Sequence, residues 1–338
     1  MRSLAAIAEP RHAESLRRQL KDSGVLRSDL KAHRTAFEVA FPVHRPAAGP
    51  GPPGRYEERE FTPVEGRSRD YRELFRGDAT IRSRLPRAFD VVGDVVLVRI
   101  PEELQSESSG IGAALLAFVP GCRVVAQDLG VAGPQRRRTL RRIAGSGGWT
   151  TVQHENGLAF EVDLEKAYFS PRLAGEHARV AAGVRKGDRV LDLCCGVGPF
   201  TLAIARDGRA SRITAVDVNP TATVLLKRNL LSLRSTVPVE VVTGPLETFL
   251  PAAGAAERAI VNLPLEGIKY ITQVGSRVTP GGVLTFYSVT PRAAPAAAAR
   301  ALLAQLPGPT SWSLEERRVV HPYSPRLDLV AFAFARGR

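Results

Sequence analysis

The sequence predicts an α/β protein in which a doubly wound, mainly parallel sheet follows two smaller α+β domains. Three observations predict it. From Leu173 onward, apolar strand-like runs alternate with helical stretches. A Pro/Gly-rich run, RPAAGPGPPGR from Arg45 to Arg55, interrupts the N-terminal part and cannot pack a core. Between these lie β-rich runs and short helical stretches, the pattern of a separate α+β segment.

Taken in order, residues 1–45 read as a small module. RHAESLRRQLKDSG is amphipathic and reads as a helix ending at Gly24. TAFEVAFPV then alternates like a strand. Residues 46–60 are assigned to a linker, and residues 61–168 to a middle domain. In that domain, the two β-rich runs of FDVVGDVVLVRI flank Gly93-Asp94, a hairpin signature. A helix, IGAALLAF, and a strand, CRVVAQDL, follow. GPQRRRTLRRIAG then carries Arg136, Arg137, Arg138, Arg141 and Arg142. A nucleic-acid patch is preferred there over a solvated face. Residues 169–338 hold the strands DRVLDLC, RITAVDV, VEVVTG, RAIVNL, GGVLTFYS, SWSLEERRVV and LVAFAFA, and there is no internal repeat.

Composition narrows the function classes. The chain of 338 residues carries a formal net charge of +13, which fits a polyanionic partner because phosphate neutralisation releases counterions. No run approaches the roughly 18 apolar residues that span a bilayer, and MRSLAAIAEPRHAESLRRQL turns charged too early for a secretory signal. A cytoplasmic, non-membrane protein is expected. Cys122, Cys194 and Cys195 form neither a disulfide framework nor zinc-ligand spacing, so no metal is expected. For the adjacent pair, packing beside a tight loop is preferred over a nucleophilic role.

The chemistry concentrates at predicted strand ends, where open α/β sheets bind ligands. The first strand of the C-terminal domain ends at Asp192, and the turn after it holds Gly196 and Gly198 before a helix starting near Pro199. A dinucleotide fingerprint needs a third glycine where Thr201 stands, and no GxxxxGK[ST] occurs. An acid followed by GxG, with Asp217-Val218 ending the next strand, resembles how class I methyltransferases hold S-adenosylmethionine. There the first acid suits the amino group, and Asp217 suits the two ribose hydroxyls. Asn262-Leu263-Pro264, ending the fourth strand, resembles the (N/D)PP(Y/F) site of amino-methyltransferases, where an amide and nearby carbonyls accept hydrogen bonds from a planar nitrogen nucleophile. A strand-terminating turn is the competing reading.

With these residues in view, the chain resembles the tRNA (guanine-37 N1)-methyltransferases of the Trm-five type, in the archaeal form with an extra N-terminal domain. The resemblance covers nearly the whole chain and is carried by AEPRHAESLRRQLKDSGVLRSDLKAHRTAFEVAFPV, LPRAFDVVGDVVLVRIPEEL, GPQRRRTLRRIAG, HENGLAFEVDLEKAYFSPRLAGEHARVA, VLDLCCGVGPFTLAIA, AIVNLP and RRVVHPYSPR. It implies a class I, Rossmann-like methyltransferase domain, S-adenosyl-L-methionine as cofactor, and a monomer. It further implies tRNA as partner, touched at its outer corner by the N-terminal module and at its anticodon arm by the rest. The resemblance makes Glu176 the base for the N1 proton, Asn262 the holder of the guanine edge, and Arg136 the contact to O6, with Arg138 as the alternative register. An exposed helix carboxylate is the competing reading of Glu176.

Three positions depart from the family pattern. His177 stands where the family usually has Arg, and is expected on the cofactor wall or, alternatively, at the surface. Pro245 replaces the usual Asp, so adenine would be held through the Pro245-Leu246 backbone or by Glu247. Cysteines stand in the CCGVGP loop where Phe-Ala is commoner. The nearest rivals are wyosine-pathway transferases at the same tRNA position, either moving the aminocarboxypropyl arm or methylating a wyosine intermediate. The aminocarboxypropyl transferases lack the intact tripeptide, and the intermediate-methylating relative generally lacks the N-terminal module. A non-catalytic tRNA-binding protein and a small-molecule methyltransferase are less favoured, given the intact site residues and the arginines.

Overall fold

Arg2–Ala8 (RSLAAIA) forms strand β1, and helix α1 follows at Ala13–Asp22. Strands β2 (His33–Arg34), β3 (Val39–Val43) and β4 (Arg55–Glu60) complete an antiparallel sheet of order β2-β3-β1-β4. Leu16 and Leu20, one turn apart on α1, pack against Ala6, Phe41 and Val43. Two expectations change here. Residues 55–60 were assigned to the linker, yet they pair with β1 from Arg2↔Glu60 to Ile7↔Arg55. RYEERE carries no apolar alternation, because an edge strand with one solvated side needs none. The strand read in TAFEVAFPV is Val39–Val43 alone, since Thr35 to Glu38 close a turn through Thr35 N–H donating to the Glu38 carbonyl at 2.9 Å.

The computed structural model describes residues 1–27, 29–46, 55–62, 68, 70–133 and 135–338. They divide into two units, Met1–Leu74 and Phe75–Arg338. Residues 47–54, the centre of the expected linker, lie outside the described set.

The second unit starts with helix α2 (Ala79–Arg84) and a sheet of order β5-β6-β7-β8, from β5 (Phe89–Val92), β6 (Val95–Val98), β7 (Val124–Ala132) and β8 (Arg137–Gly145). The β5–β6 hairpin turns at Gly93, whose φ is +55°. Helix α3 (Ser108–Phe118) links the parallel pair β6 and β7. A separate hairpin pairs β9 (Thr150–Glu155) with β10 (Leu158–Asp163), and helix α4 (Ala174–Gly183) follows.

The seven-stranded sheet has the order β13-β12-β11-β14-β15-β17-β16. Strands β11 (Arg189–Leu193), β12 (Arg212–Asp217), β13 (Val239–Thr243), β14 (Ala256–Val261) and β15 (Val278–Pro291) are parallel. Strands β16 (Trp312–Ser324) and β17 (Leu327–Arg336) close the edge as an antiparallel hairpin. The helices between strands are α5 (Pro199–Asp207), α6 (Pro220–Leu231), the single turn α7 (Leu246–Phe249), α8 (Ile271–Arg277) and α9 (Pro295–Leu303).

Local chemistry explains the helix starts. Pro199 opens α5 directly after Gly198, and Asn219 caps α6 by accepting from the Thr221 and Ala222 N–H groups at 3.0 and 3.4 Å. The seven strands are those expected from residues 169–338. The expected division at residue 168 is not a division of the core, which runs from Val95 and Val124 through Phe160 to Val190 and Ile213. Among the described residues no helix is long and apolar enough to cross a membrane.

Candidate active site

A cavity of about 300 Å³ opens at the carboxyl ends of β11, β12, β13 and β14, where the strand order reverses on either side of β11. Its floor is the turn after β11. Cys194 N–H and Cys195 N–H both donate to the Val216 carbonyl, at 2.8 and 3.0 Å, which draws the turn across the end of β12. Cys194 takes φ +68° and Gly196 φ +57° to make the bend. Burial pushes both thiols up, so each stays protonated at neutral pH and neither is a thiolate nucleophile.

Asp217 lines the cavity with Val218 beside it. Its Oδ2 accepts from Gly196 N–H and its Oδ1 from Asn219 N–H, each at 2.8 Å. One bond per oxygen leaves lone pairs for two further donors, as a ribose diol requires. Burial pushes this carboxyl above its ordinary range. Gly196, Pro199, Pro245, Leu246 and Glu247 are on the same wall. Glu247 is tied to Tyr270 and Lys269, so its carboxylate faces the rim already partnered.

Two expected cofactor residues are elsewhere. Asp192 is wholly buried and does not line the cavity. Its Oδ2 accepts from Thr201 N–H at 3.1 Å and from Thr201 Oγ1 at 2.6 Å, pinning the first turn of α5, while its Oδ1 has no partner among the described residues. Gly198 is also off the wall: a Cβ there would sit 2.1 Å from Leu226 Cδ1, so this glycine permits close packing of α5 on α6. Asp192 therefore braces the turn from behind, while on the wall Asp217 fits a ribose diol and Gly196 lets the backbone approach a ligand closely. The residues present therefore suit S-adenosylmethionine.

Burial raises the Asp192 carboxyl to about 6, against the pull of the Thr201 donors. The folded chain then holds a proton that the unfolded chain has lost, so this group weakens the fold as pH rises from about 4 to 6. Relative to the parent, Asp192→Asn is expected to gain on the order of 3 kcal/mol across that window in denaturant unfolding. A stability difference that stays flat from pH 4 to 7 would contradict the assignment.

The opposite wall carries the tripeptide. Asn262, Leu263 and Pro264 line the cavity just past β14. Val289 N–H donates to the Pro264 carbonyl at 3.1 Å and Gly267 N–H to the Leu263 carbonyl at 2.7 Å, which fix the segment, while among the described residues the Asn262 amide has no hydrogen-bond partner. Arg136 reaches the cavity from the turn before β8, with φ +50° and its guanidinium 4.6 Å from the centre of the Tyr168 ring. Arg138 does not line it. Its Nη1 donates to Asp128 at 2.6 Å and its Nη2 to the Phe169 carbonyl at 3.1 Å, both under cover. The expected arginine patch is likewise split: Arg137, Arg141 and Arg142 are exposed, and Arg138 is buried.

Glu176, expected as the base, lies behind the wall with 3% exposure. Its carboxylate accepts from Tyr287 OH at 3.0 Å, from Arg179 Nη2 at 2.9 Å, and pairs with Arg318 Nε at 3.2 Å. His177 does line the cavity, rather than the surface. Its Nδ1 is 2.6 Å from Glu155 Oε1, and its ring meets the Phe200 ring edge-on at 4.7 Å between centres. Among the wall residues that sequence reasoning missed are Tyr168, Tyr270, His321 and Tyr323. The HPYSP run was the available signal for the last two, since prolines within a strand mark bulges.

Comparisons with known proteins agree with this geometry. Residues 151–305 match the TRM5/TYW2 methyltransferase domain, and residues 71–148 match the TYW2 N-terminal domain. The chain is 30% identical to the tRNA (guanine(37)-N(1))-methyltransferase Trm5b of Pyrococcus abyssi over 98% of both chains. It superposes on the crystal structure of wild-type Trm5b from Pyrococcus abyssi with a TM-score of 0.74 at 29% identity, covering 99% of this chain and 100% of that one. The structure of aTrm5 in complex with tRNALeu matches with a TM-score of 0.69 at 28% identity, covering 99% of this chain and 100% of that one.

Proposed function

The chain belongs to the family of tRNA (guanine(37)-N(1))-methyltransferases of the Trm5b type, and from that premise we propose that it transfers a methyl group from S-adenosylmethionine to N1 of guanine 37 in tRNA. The observation that carries the proposal is one cavity with two complementary walls. Asp217 and the Gly196 turn follow β12 and β11, Asn262 follows β14 on the other side of β11, and Arg136 lines the same cavity.

S-adenosylmethionine supplies a methyl already activated on a sulfonium. The chain has three tasks: to align N1, to take its proton, and to steady charge on O6. Asn262 offers an amide carbonyl and an NH₂ to the guanine edge. Arg136 offers a guanidinium toward O6, and Tyr168 beneath it holds that guanidinium in place. Arg138, held by Asp128 and the Phe169 carbonyl, secures the segment that carries Tyr168 and is removed from the set of O6 contacts. Glu176 is proposed as the proton acceptor. In that role it must give up one of its present partners, and Arg318, with half of its side chain exposed, is the most accessible of them.

A target base in an anticodon loop can be splayed from its stack and read on its Watson–Crick edge, which suits a cavity reached from one face. We further assign the outer corner of the tRNA to the unit Met1–Leu74 and the anticodon arm to Phe75–Arg338, acting as a cytoplasmic monomer. The rival, aminocarboxypropyl transfer, uses the same cofactor without an acceptor tripeptide, and the braced Asn262-Leu263-Pro264 favours methylation.

The test is methyl transfer from labelled cofactor to G37 and A37 tRNA transcripts, with nucleoside analysis. Label in 1-methylguanosine from the G37 transcript alone is expected. Equal labelling of A37, or another product, sinks the proposal.

A further inference from the structure

Aromatic side chains crowd the cavity, but nearly all are already committed. Phe169 and Phe200 are each 2% exposed and belong to the core. Tyr270 is 7% exposed and its hydroxyl donates to Glu247. Tyr168 has two guanidiniums over its ring, Arg136 at 4.6 Å and Arg138 at 5.1 Å from the centre. Tyr323 differs. It is 46% exposed, it lines the cavity, and among the described residues it has no hydrogen-bond or ring partner.

Its placement is built into the strand. The β16–β17 ladder slips register between Val319 and His321 and again between Pro322 and Ser324, so Val320 is the extra residue of one bulge and Tyr323 itself of the other. Bulges at a sheet edge re-aim side chains, and here the result is that both His321 and Tyr323 reach the cavity. His321 Nδ1 lies 2.8 Å from the Pro322 carbonyl, a contact that steadies the bend. The same strand is anchored upstream, where Arg318 and Glu316 pair with Glu176 and Arg179 of α4.

The acceptor segment lacks what Tyr323 offers. In the (N/D)PP(Y/F) pattern the fourth residue is aromatic and can cover the face of a planar base. Here that position is Leu265, which is 55% exposed and not on the cavity wall. Asn262 can hold the edge of a base, but nothing on its own segment covers the face.

We infer that Tyr323 is the stacking residue for the target nucleobase, supplying from the β16–β17 hairpin the aromatic face that the Asn262-Leu263-Pro264 segment omits. This rests on the proposed methylation of a tRNA base and adds the residue that selects a flat, unstacked acceptor. Stacking on an aromatic ring is sequence-tolerant, so Tyr323 would help capture a purine while Asn262 and Arg136 choose guanine.

The experiment uses the full chain and a tRNA transcript with a fluorescent guanine analogue at position 37. Parent protein is expected to quench the analogue on binding. Tyr323→Leu is expected to lose that quench and to slow single-turnover transfer to unlabelled G37 tRNA about 10- to 100-fold. Tyr323→Phe and Tyr323→Trp should keep both, because the ring and not the hydroxyl does the stacking. Cofactor affinity, read by equilibrium dialysis, should be unchanged in all three. Tyr323→Leu that keeps parental quench and rate overturns the assignment, as does loss of quench confined to Tyr168→Leu. If the parent methylates no G37 transcript at all, the functional reading itself fails, whatever the variants do.

Discussion

Glu176→Gln is expected to slow single-turnover methyl transfer to G37 tRNA by about 10²- to 10⁴-fold, the range for a lost general base, with cofactor affinity within about twofold of the parent. Glutamine preserves the shape of the side chain, and the choice matters because of what surrounds it. The carboxylate sits among Tyr287, Arg179 and Arg318, all pointing donors at it. Alanine would empty a buried site and take the partner from Tyr287, Arg179 and Arg318 at once, and would confound collapse with lost chemistry. The readouts that separate the roles are rate at saturating cofactor and tRNA, and the thermal midpoint. If Glu176→Gln melts earlier yet transfers methyl at the parental single-turnover rate, Glu176 is a brace between α4 and β16 and the base lies elsewhere.

The second large effect separates two glycines that look equivalent in sequence. Gly198→Ala puts a methyl 2.1 Å from Leu226 Cδ1 and 2.8 Å from Leu202 Cδ1, at φ +90°. Both leucines are core residues with no room to swing. Backbone strain and overpacking each cost about 1–3 kcal/mol, so the thermal midpoint should fall by roughly 5–15 °C. Gly196→Ala is milder for the fold: its Cβ would find only the Tyr168 carbonyl at 3.6 Å, and the strain of φ +57° costs about 1–2 kcal/mol. Gly196 lines the cavity, so its variant should lose cofactor affinity more than stability. Calorimetry and equilibrium dialysis on both variants decide it, and equal melting temperatures for the two would refute the division of roles.

Those glycines show how the site was readable and where reading stopped. Asp217, Gly196 and Asn262 were legible as cavity residues because an open parallel sheet has its crevice at strand ends, and strand ends announce themselves as apolar runs stopping at an acid, a glycine or an amide. Gly198 was legible as special but not as to why, since its neighbour Leu226 is on another helix. Strand β4 was misread as linker because its polar residues become a strand only when the edge of β1 is there to pair with.

By itself the sequence determined the alternation of strands and helices, the glycine turn after the first parallel strand and the Asn262-Leu263-Pro264 turn after the fourth, because these are local patterns of polarity and backbone permission. Only the tertiary structure decided which charged groups face the cavity. Arg136 and Arg138 are two residues apart and chemically identical, yet one sits in a left-handed turn and opens to the cavity while the other pairs with Asp128 under cover. Glu176 meets Tyr287, 111 residues away, and so turns from an exposed helix carboxylate into a buried one. Tyr323 reaches the site through two bulges that no pattern of hydrophobicity announces. The direction of a side chain depends on strand parity, helix phase and the segments that arrive from elsewhere in the chain, and those are properties of the assembled fold.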